Sequence, residues 1–383
     1  MSKVTDLFEQ FNKKYKEEIF TQGNVVHDCT RIPFSSPKAN RVLYGGIPRG
    51  RISEFAGADG SGKTTTALDV SGNAQKLFKA EWEESIATLE ALQKPTKEQL
   101  SLLKQLREDG PKRVFWVDVE NTFDEDWALK LGVDLDMLYY MSPPIKMSAE
   151  EILEMVEQII ATGDIGLAVI DSLAMMLSKQ EIAGDIEDKT YGGISMALTR
   201  FSREIVPICS QTNCALIGIN QLRDAMQVGG YGGPTTKKPG GRCWKHACSV
   251  QLDFRQGSPF DSDYKAVAKN FENPIGHKVL ISVAKTKISK PDRKLGQYTL
   301  VYNDGIVPLI DIIDEAISLD IIHKSGAWFT FITDEETGEV LCDEDNNPIK
   351  VQGQGNIFGF LNNPENEDVK EFITKKVEES IYN

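Results

Sequence analysis

The sequence predicts an α/β fold with a largely parallel central sheet and helices on both faces. Apolar runs predict buried strands at 51–56, 113–119, 166–170, 215–219 and 279–284. Helical patterns separate the first four runs and are clearest at 149–161 and 191–206. A glycine-rich turn follows the first strand and leads into a helical run from Thr64 to about Lys79. Because strand–helix alternation returns each strand in the same direction, it is typical of a parallel sheet.

A single amphipathic helix is predicted at the N-terminus. Its apolar stripe has helical spacing and consists of Val4, Leu7, Phe8, Phe11, Tyr15 and Ile19. A lone helix cannot bury such a stripe on itself, so it packs either on its own domain or on a neighbouring subunit. We assign residues 1–35 to this helix and to a subunit-contact segment.

A charged helical hairpin is predicted at residues 81–110, inserted between the first two core strands. Thr96 and Gln99 have the spacing of a capping box, which marks the start of the second helix of the hairpin. The insertion lies within the predicted core domain, which we place at 36–306.

The sequence changes character after about residue 306. A helical stretch at 311–322 is followed by short strands near 327–332, an acidic turn-rich segment and a last helix from about Glu365. This pattern predicts a small α+β domain at 307–383.

Composition excludes several classes of protein. Hydrophobic residues make up 40% of the 383 residues and charged residues 26%, which argues against disordered, collagenous and disulfide-scaffold chains. The first twenty residues carry eight charges, so they do not form a signal peptide. The longest uncharged stretch, 205–222, contains Pro207 and several amides, so we expect no membrane span. Six cysteines without a CxxC pair indicate reduced thiols and a cytoplasmic protein.

The net charge of −14 argues against nucleic-acid binding until its distribution is considered. Residues 311–383 hold 17 acidic and 5 basic residues, a net charge of −12. The remainder is nearly neutral and contains two basic segments, at 225–252 and 278–294. The charge pattern is therefore compatible with a DNA-binding core beside an acidic C-terminal domain.

The run from Gly57 to Thr64 fits the phosphate-loop pattern GxxxxGK[ST]. Glycines let successive backbone N–H groups turn towards phosphate oxygens, and the following helix adds its N-terminal dipole. Lys63 then reaches the β- and γ-phosphates, and the Thr64 hydroxyl ligates Mg²⁺. The loop lies between a predicted strand and a predicted helix, which is the context that the motif requires.

Two carboxylates follow core strands. Asp171 ends the run GLAVID, where a carboxylate is placed to hold the Mg²⁺ shell. Glu120 follows the run RVFWVDV and is a candidate for orienting or deprotonating the attacking water. Position alone leaves Asp118 as the alternative.

Six motifs in order resemble the bacterial RecA recombinase family: GADGSGKTT, VDVENTFDEDWALKLGVD, AVIDSLAMM, IGINQLRDAM, AKTKISKP and HKSGAWFTF. The resemblance covers roughly residues 40–332, with a weaker match at 353–377. It implies a RecA-like P-loop ATPase core with an N-terminal oligomerisation helix. It further implies ATP and Mg²⁺ as cofactors, a helical filament of identical subunits on single-stranded DNA, and strand exchange with double-stranded DNA. So compact a chain suggests a virus-encoded member, acting in the cytoplasm of a bacterial or virus-infected bacterial cell.

The resemblance also assigns roles to individual residues. Glu120 takes the place of the catalytic glutamate, Gln221 of the glutamine that senses the γ-phosphate, and Lys285 and Lys287 of lysines that reach the neighbouring subunit's ATP. With Lys63 these form the expected catalytic set. The expected nucleotide-binding residues are Gly57, Asp59, Gly60, Ser61, Gly62, Lys63, Thr64, Thr65, Asp124, Trp127 and Asp171, of which Thr64 and Asp171 hold the metal.

Two segments resemble the DNA-facing loops of the family, at 183–193 and 224–241. The second contains six glycines and no acid after Asp224, so it can mould around a phosphate backbone. The expected DNA contacts are Arg203, Arg223, Lys237, Lys238, Arg242 and Lys245. Met196 stands where the family often has Arg, and His246 stands where Phe is usual.

Two other functions of the same core remain alternatives. One is a ring-forming DNA helicase, and the other is a scaffold that uses ATP only as an assembly switch. The pair of lysines and the two DNA-facing segments favour the recombinase.

Overall fold

The computed structural model describes residues 3–15, 29–184, 193–224, 236–237, 239–262, 264–334, 339–343 and 345–382. The chain divides into two compact units, residues 1–30 and 31–383. The first unit contains the predicted N-terminal helix, here Lys3–Tyr15, and Ile19 of its predicted stripe lies outside the described residues.

The described residues form the following α-helices. They are α1 (Lys3–Tyr15), α2 (Pro37–Val42), α3 (Lys63–Glu90), α4 (Lys97–Asp109), α5 (Glu125–Lys130), α6 (Ala149–Ala161), α7 (Lys179–Ala183), α8 (Ile194–Thr212), α9 (Gly241–Ala247), α10 (Pro308–Ser318), α11 (Gln354–Leu361) and α12 (Glu367–Tyr382).

The described residues also form the following β-strands. They are β1 (Arg31–Ile32), β2 (Ile47–Pro48), β3 (Ile52–Gly57), β4 (Arg113–Asp118), β5 (Leu138–Met141), β6 (Ile165–Asp171), β7 (Ala215–Gln221), β8 (Arg223–Asp224), β9 (Thr236–Lys237), β10 (Val250–Phe260), β11 (Gly276–Thr286), β12 (Leu295–Val301), β13 (Gly305–Ile306), β14 (Ile322–Ser325), β15 (Trp328–Asp334), β16 (Glu339–Val340) and β17 (Lys350–Gln352).

The large sheet has the order β13-β12-β11-β10-β3-β7-β6-β4-β5. Strands β10, β3, β7, β6, β4 and β5 pair in parallel, and β11, β12 and β13 add antiparallel strands at one side. The predicted fold class is therefore confirmed, and the predicted strand at 279–284 lies in the antiparallel part. The carboxyl ends of β3, β7, β6 and β4 meet at one edge, where ligands bind in open α/β sheets.

Each face of the sheet has its own hydrophobic core. Alternate residues of the strands point to opposite faces, so Phe55 and Ile217 pack on the side of α3. Ile52 and Leu216 pack on the other side, with α6 and α8. The predicted arrangement of helices on both faces is confirmed.

The first helix of the inserted hairpin is not a separate helix, as predicted, but the outer half of α3. We expected a core helix ending near Lys79 and then a separate hairpin, but α3 runs without a break from Lys63 to Glu90. Helix α4 packs beside its outer half, and the Trp82 indole N–H donates to the Leu106 carbonyl at 2.7 Å. The predicted capping box at Thr96 and Gln99 is present, with bonds of 3.2 and 2.8 Å.

The C-terminal part forms α10–α12 and a four-stranded sheet around its own hydrophobic cluster. Ion pairs join it to the preceding part, including Arg41 to Glu315 at 2.6 Å and Lys278 to Asp314 at 2.9 Å. The domain limits at 35 and 306 stay predictions. No helix within the described ranges is long and apolar enough to cross a membrane.

Gly166 of β6 provides a test of how α3 packs on the sheet. A Cβ added at this glycine would lie 2.4 Å from Cζ of Phe78 on α3. We expect Gly166→Ala to lower the free energy of unfolding by about 1–3 kcal/mol, because the ring has no room to yield in a close-packed core. Urea denaturation measures this loss. Phe78→Leu in the same chain should recover part of it, and strictly additive losses would contradict the contact.

Candidate nucleotide and DNA-binding site

The phosphate loop connects β3 to α3 in the predicted context. Gly62 has φ +92°, in the left-handed region, and a Cβ there would lie 2.9 Å from Val279. A Cβ at Gly57 would lie 2.5 Å from Oγ of Ser61. Both positions therefore require glycine, and the tip at Asp59 and Gly60 is exposed. The result is a tight backbone turn at the N-terminus of a long helix, which suits an anion.

Lys63 lies at the start of α3, with its side chain turned back over the loop. It is 8% exposed, and its Nζ donates to the Ala58 carbonyl at 2.8 Å. Burial lowers the pKa of this amine, and the charges of Asp59, Asp171 and Glu120 oppose that effect. The ammonium group is therefore within electrostatic reach of all three carboxylates.

Thr64 and Asp171 bring two oxygen ligands together. The Thr64 hydroxyl donates to Oδ2 of Asp171 at 2.8 Å. Burial raises the pKa of Asp171 to about 7, with a further contribution from the charges of Glu120 and Asp118 and an opposing effect of the Thr64 bond. A hydroxyl and a carboxylate beside a phosphate loop fit the oxygen preference of Mg²⁺.

Glu120 lies beyond the end of β4, at the same edge of the sheet. Its Oε1 accepts hydrogen bonds from the Ser172 hydroxyl and from Nε2 of Gln221, the latter at 3.0 Å. The structure therefore brings the carboxylate and the amide predicted to act at the γ-phosphate into direct contact.

Asp118 is occupied differently from Glu120. It is 1% exposed and accepts from the Phe123 backbone N–H at 2.9 Å and from the Tyr140 hydroxyl at 3.0 Å. The first bond holds the turn after β4, and the second joins the end of β4 to Tyr140 of β5. This arrangement favours Glu120 over Asp118 as the group that faces a nucleotide.

Asp124 and Trp127 lie at the start of α5. Oδ1 of Asp124 accepts from the Trp127 backbone N–H at 2.9 Å, so this side chain is the N-cap of the helix. The Trp127 indole N–H donates to the Thr65 hydroxyl at 3.4 Å. The bond places the indole beside the first turn of α3, next to the phosphate loop.

Lys285 and Lys287 both reach the C-terminal end of α9. Nζ of Lys285 donates to the carbonyls of Lys245 and Cys248, the latter at 2.7 Å, and Nζ of Lys287 donates to the carbonyl of His246. Burial and the charge of Lys287 lower the pKa of Lys285. In this single chain the two lysines cap a helix rather than contact the phosphate loop.

Two of the expected DNA-contact residues, Arg242 and Lys245, lie exposed on α9, and Arg203 lies exposed on α8. The two helices pack together through Phe201 and Trp244, whose rings stack with centroids 6.4 Å apart. Arg223 and Lys237 pair in the short ladder of β8 and β9. Lys238 lies outside the described residues, as do 185–192 and 225–235 of the two predicted DNA-facing segments.

Both a protein family and individual proteins match this chain. The family described as RecA N-terminal domain matches residues 85–307, more than half of the chain. Protein RecA of Porphyromonas gingivalis is 31% identical over 378 residues, covering 98% of this chain and 93% of that protein. Protein RecA of Campylobacter jejuni subsp. doylei is 32% identical over 337 residues, covering 88% and 80%, and that of Campylobacter lari is 32% identical over 357 residues, covering 93% and 86%.

The chain belongs to the RecA family.

Membership of the RecA family establishes the general activity. The protein is an ATP-dependent recombinase and a DNA-dependent ATPase, with the filament formation and strand exchange of the family. Nucleotide binding, DNA binding and oligomerisation follow at the same level. The predicted family, fold class and recombinase function are confirmed.

Three residues at or near this RecA-family site were not predicted from the sequence. Ser172 bonds to Glu120, and the Tyr298 hydroxyl lies 2.8 Å from that of Thr66 and 3.4 Å from the Gly62 carbonyl. Glu54 is a buried carboxylate in the middle of β3. Tyr298 and Glu54 sit within apolar strand patterns, where no local signal separates them from packing residues. Ser172 directly follows Asp171, and that adjacency was the one available signal.

Glu120→Gln tests whether this carboxylate acts on the attacking water. The amide keeps the size of the side chain but cannot accept a proton, so DNA-stimulated turnover should fall by about 100-fold or more while nucleotide binding persists. Steady-state hydrolysis with single-stranded DNA, together with binding of a fluorescent ATP analogue, measures both quantities. Asp118→Asn is the matched control and should act mainly on stability. Full turnover by Glu120→Gln would place the base elsewhere.

Proposed function

We propose that the site at the sheet edge binds ATP with Mg²⁺ and hydrolyses it during DNA strand exchange. The observation that supports this most directly is the pair of contacts around the phosphate loop, Thr64 to Asp171 and Gln221 to Glu120. These contacts support the proposal because a hydroxyl, two carboxylates and an amide meet at the sheet edge beside the phosphate loop.

Each group has a distinct part in this proposal. The loop N–H groups and Lys63 hold the β- and γ-phosphates, and Trp127 offers a stacking face for the adenine beside Thr65. Mg²⁺ on Thr64 and Asp171 would offset phosphate charge. Glu120 orients the water, and Gln221 exchanges its bond to Glu120 for one to the γ-phosphate. Because Gln221 is followed directly by Leu222 and β8, this exchange is transmitted to the second DNA-facing segment.

The proposed partners are single-stranded DNA, double-stranded DNA and further copies of the chain in a helical filament. Exposed Arg203, Arg242 and Lys245 supply phosphate contacts, with Arg223, Lys237 and Lys238 as further candidates. The bacterial cytoplasm is the proposed location. A strand-exchange assay with Lys63→Ala as the inactive control tests the proposal as a whole, since loss of the phosphate contact should abolish ATP-dependent pairing.

Lys285 and Lys287 are proposed to act on the ATP of a neighbouring subunit. Their two positive charges would stabilise the negative charge that develops on the γ-phosphate during hydrolysis, as an arginine finger does in trans. Loss of an arginine finger lowers turnover by about 1,000-fold or more. Lys285→Ala/Lys287→Ala should therefore bind ATP normally but lose DNA-stimulated hydrolysis.

Mixing experiments separate this role from capping of α9. Filaments mixed from the double-lysine variant and Glu120→Gln subunits contain junctions that join an intact Glu120 to an intact lysine pair. These junctions should regain turnover that neither variant has alone. Normal hydrolysis by the double-lysine variant, or mixtures that stay inactive, would contradict action in trans.

The acidic C-terminal domain is proposed to restrain duplex binding. Truncation is a poor test because Ile373 and Val377 of α12 are buried in the core of this domain. Asp368→Asn/Glu371→Gln/Glu378→Gln changes exposed carboxylates only. At roughly 0.2 kcal/mol for each charge, duplex affinity at low salt should rise about threefold. Neutralising Lys375 and Lys376 is the opposite control and should weaken binding. An unchanged affinity in both variants would rule out the electrostatic effect.

A further inference from the structure

Glu54 has a buried carboxyl group at a position that neither the phosphate loop nor the expected DNA contacts explain. It lies in the middle of β3, three residues before Gly57, and is 1% exposed. Its neighbours across the sheet are Gly218 on β7 and Gln251 on β10. A carboxylate in such a place is costly unless hydrogen-bond donors converge on it.

Three donors from three other elements do converge on this carboxylate. Oε1 accepts from the Trp244 indole N–H at 2.9 Å and from Nδ2 of Asn220 at 3.0 Å. Oε2 accepts from Nε2 of Gln251 at 2.6 Å. Hydrogen bonds in a dry environment are stronger than those in water, so the Glu54 side chain joins α9, β7 and β10 to β3.

The space around Trp244 is shaped for this contact. A Cβ at Gly218 would lie 2.6 Å from Cζ2 of the indole, so only glycine lets the ring lie flat over β7. Phe201 of α8 stacks on the ring at an interplanar angle of 21°. The indole is thereby fixed with its N–H aimed at Glu54.

Asn220 links the same cluster to the end of the second DNA-facing segment. Its Nδ2 also donates to the Pro239 carbonyl at 2.9 Å, directly before the start of α9. The next residue of β7 is Gln221, which contacts Glu120. One buried cluster therefore touches the stem of the DNA-facing segment, the helix that follows it and the strand that ends at the nucleotide site.

We infer that Glu54 is a positioning residue for DNA binding, which fixes α9 and the Pro239 end of the second segment against the strands of the nucleotide site. Its carboxylate touches neither ATP nor DNA and acts through Trp244 and Asn220. This inference rests on the proposed function, in which Arg242 and Lys245 of α9 contact DNA phosphates.

Glu54→Met and Glu54→Gln test the inference as a pair. Methionine has a similar size but accepts no such bonds, so Trp244 and Gln251 lose their acceptor and Asn220 keeps only its bond to Pro239. The half-saturating concentration of an oligo(dT) probe, with Mg²⁺ and a non-hydrolysable ATP analogue, should rise about tenfold. Glutamine keeps an acceptor for Trp244 and Asn220, and the Gln251 amide can turn to accept from it, so binding should stay within about threefold of the unaltered protein.

Two further measurements distinguish positioning from general destabilisation. The Michaelis constant for ATP without DNA should change less than about twofold in Glu54→Met. Hydrogen exchange in residues 241–247 should accelerate in Glu54→Met and not in Phe78→Leu, a control that loosens the opposite face of the sheet. If Glu54→Met does not fold, Trp244→Phe removes one donor, keeps a stacked ring and should weaken oligo(dT) binding about fivefold.

The outcomes also separate this inference from the proposed function. If Arg242→Ala/Lys245→Ala binds oligo(dT) normally, the DNA contacts of α9 are wrong, whatever Glu54 does. If Arg242→Ala/Lys245→Ala binds oligo(dT) weakly while Glu54→Met binds it normally, the inference about Glu54 is overturned and the proposed function is not. Trp244→Phe serves in this comparison if Glu54→Met does not fold. The inference about Glu54 is also overturned if Glu54→Gln is as weak as Glu54→Met, because the charge and not the hydrogen bonds would then matter.

Discussion

The parallel pairing of β3, β7, β6 and β4 is the constraint on which the whole site depends. In this register Gly57 lies opposite Gln221, and Asp118 lies opposite Asp171. Groups that are more than a hundred residues apart in the chain therefore meet within hydrogen-bond distance, as Thr64 and Asp171 do at 2.8 Å. A slip of one residue would send these side chains to the opposite face, so the buried cores on both faces also hold the chemistry in place.

The two faces of the large sheet support different parts of the protein. The face covered by α3 supports the phosphate loop, with Tyr298 bracing the first turn of the helix through Thr66. The opposite face holds α8 and α9, which carry the exposed basic residues. Glu54 and Asn220 point to this second face but belong to strands that end at the nucleotide site. Strands β3 and β7 thus directly connect the nucleotide site to the face that carries α8 and α9.

In the proposed role in trans, Lys285 and Lys287 would have different partners in the isolated chain and in the filament. In the isolated chain both ammonium groups donate to carbonyls at the C-terminal end of α9. Contact with a neighbour's phosphate would require them to leave those carbonyls. In the proposed role in trans, nucleotide contact across an interface and capping of the helix that carries Arg242 and Lys245 would therefore compete for the same two ammonium groups.

Local patterns in the sequence determined the elements and much of the site. Five strands of the large sheet (β3, β4, β6, β7 and β11), the phosphate loop, Asp171 and the capping box at Thr96 could be predicted because neighbouring residues alone specify them, whereas β5, β10 and β12 were not predicted. The sequence could not show that α3 continues to Glu90, since the second arm of the hairpin, packing through Trp82, stabilises that extension. Position after a strand left Asp118 as an alternative to Glu120 until the family resemblance was considered, and no local pattern indicated Glu54 or Tyr298. Those roles depend on which distant strand lies alongside, and only the tertiary register of the sheet decides that.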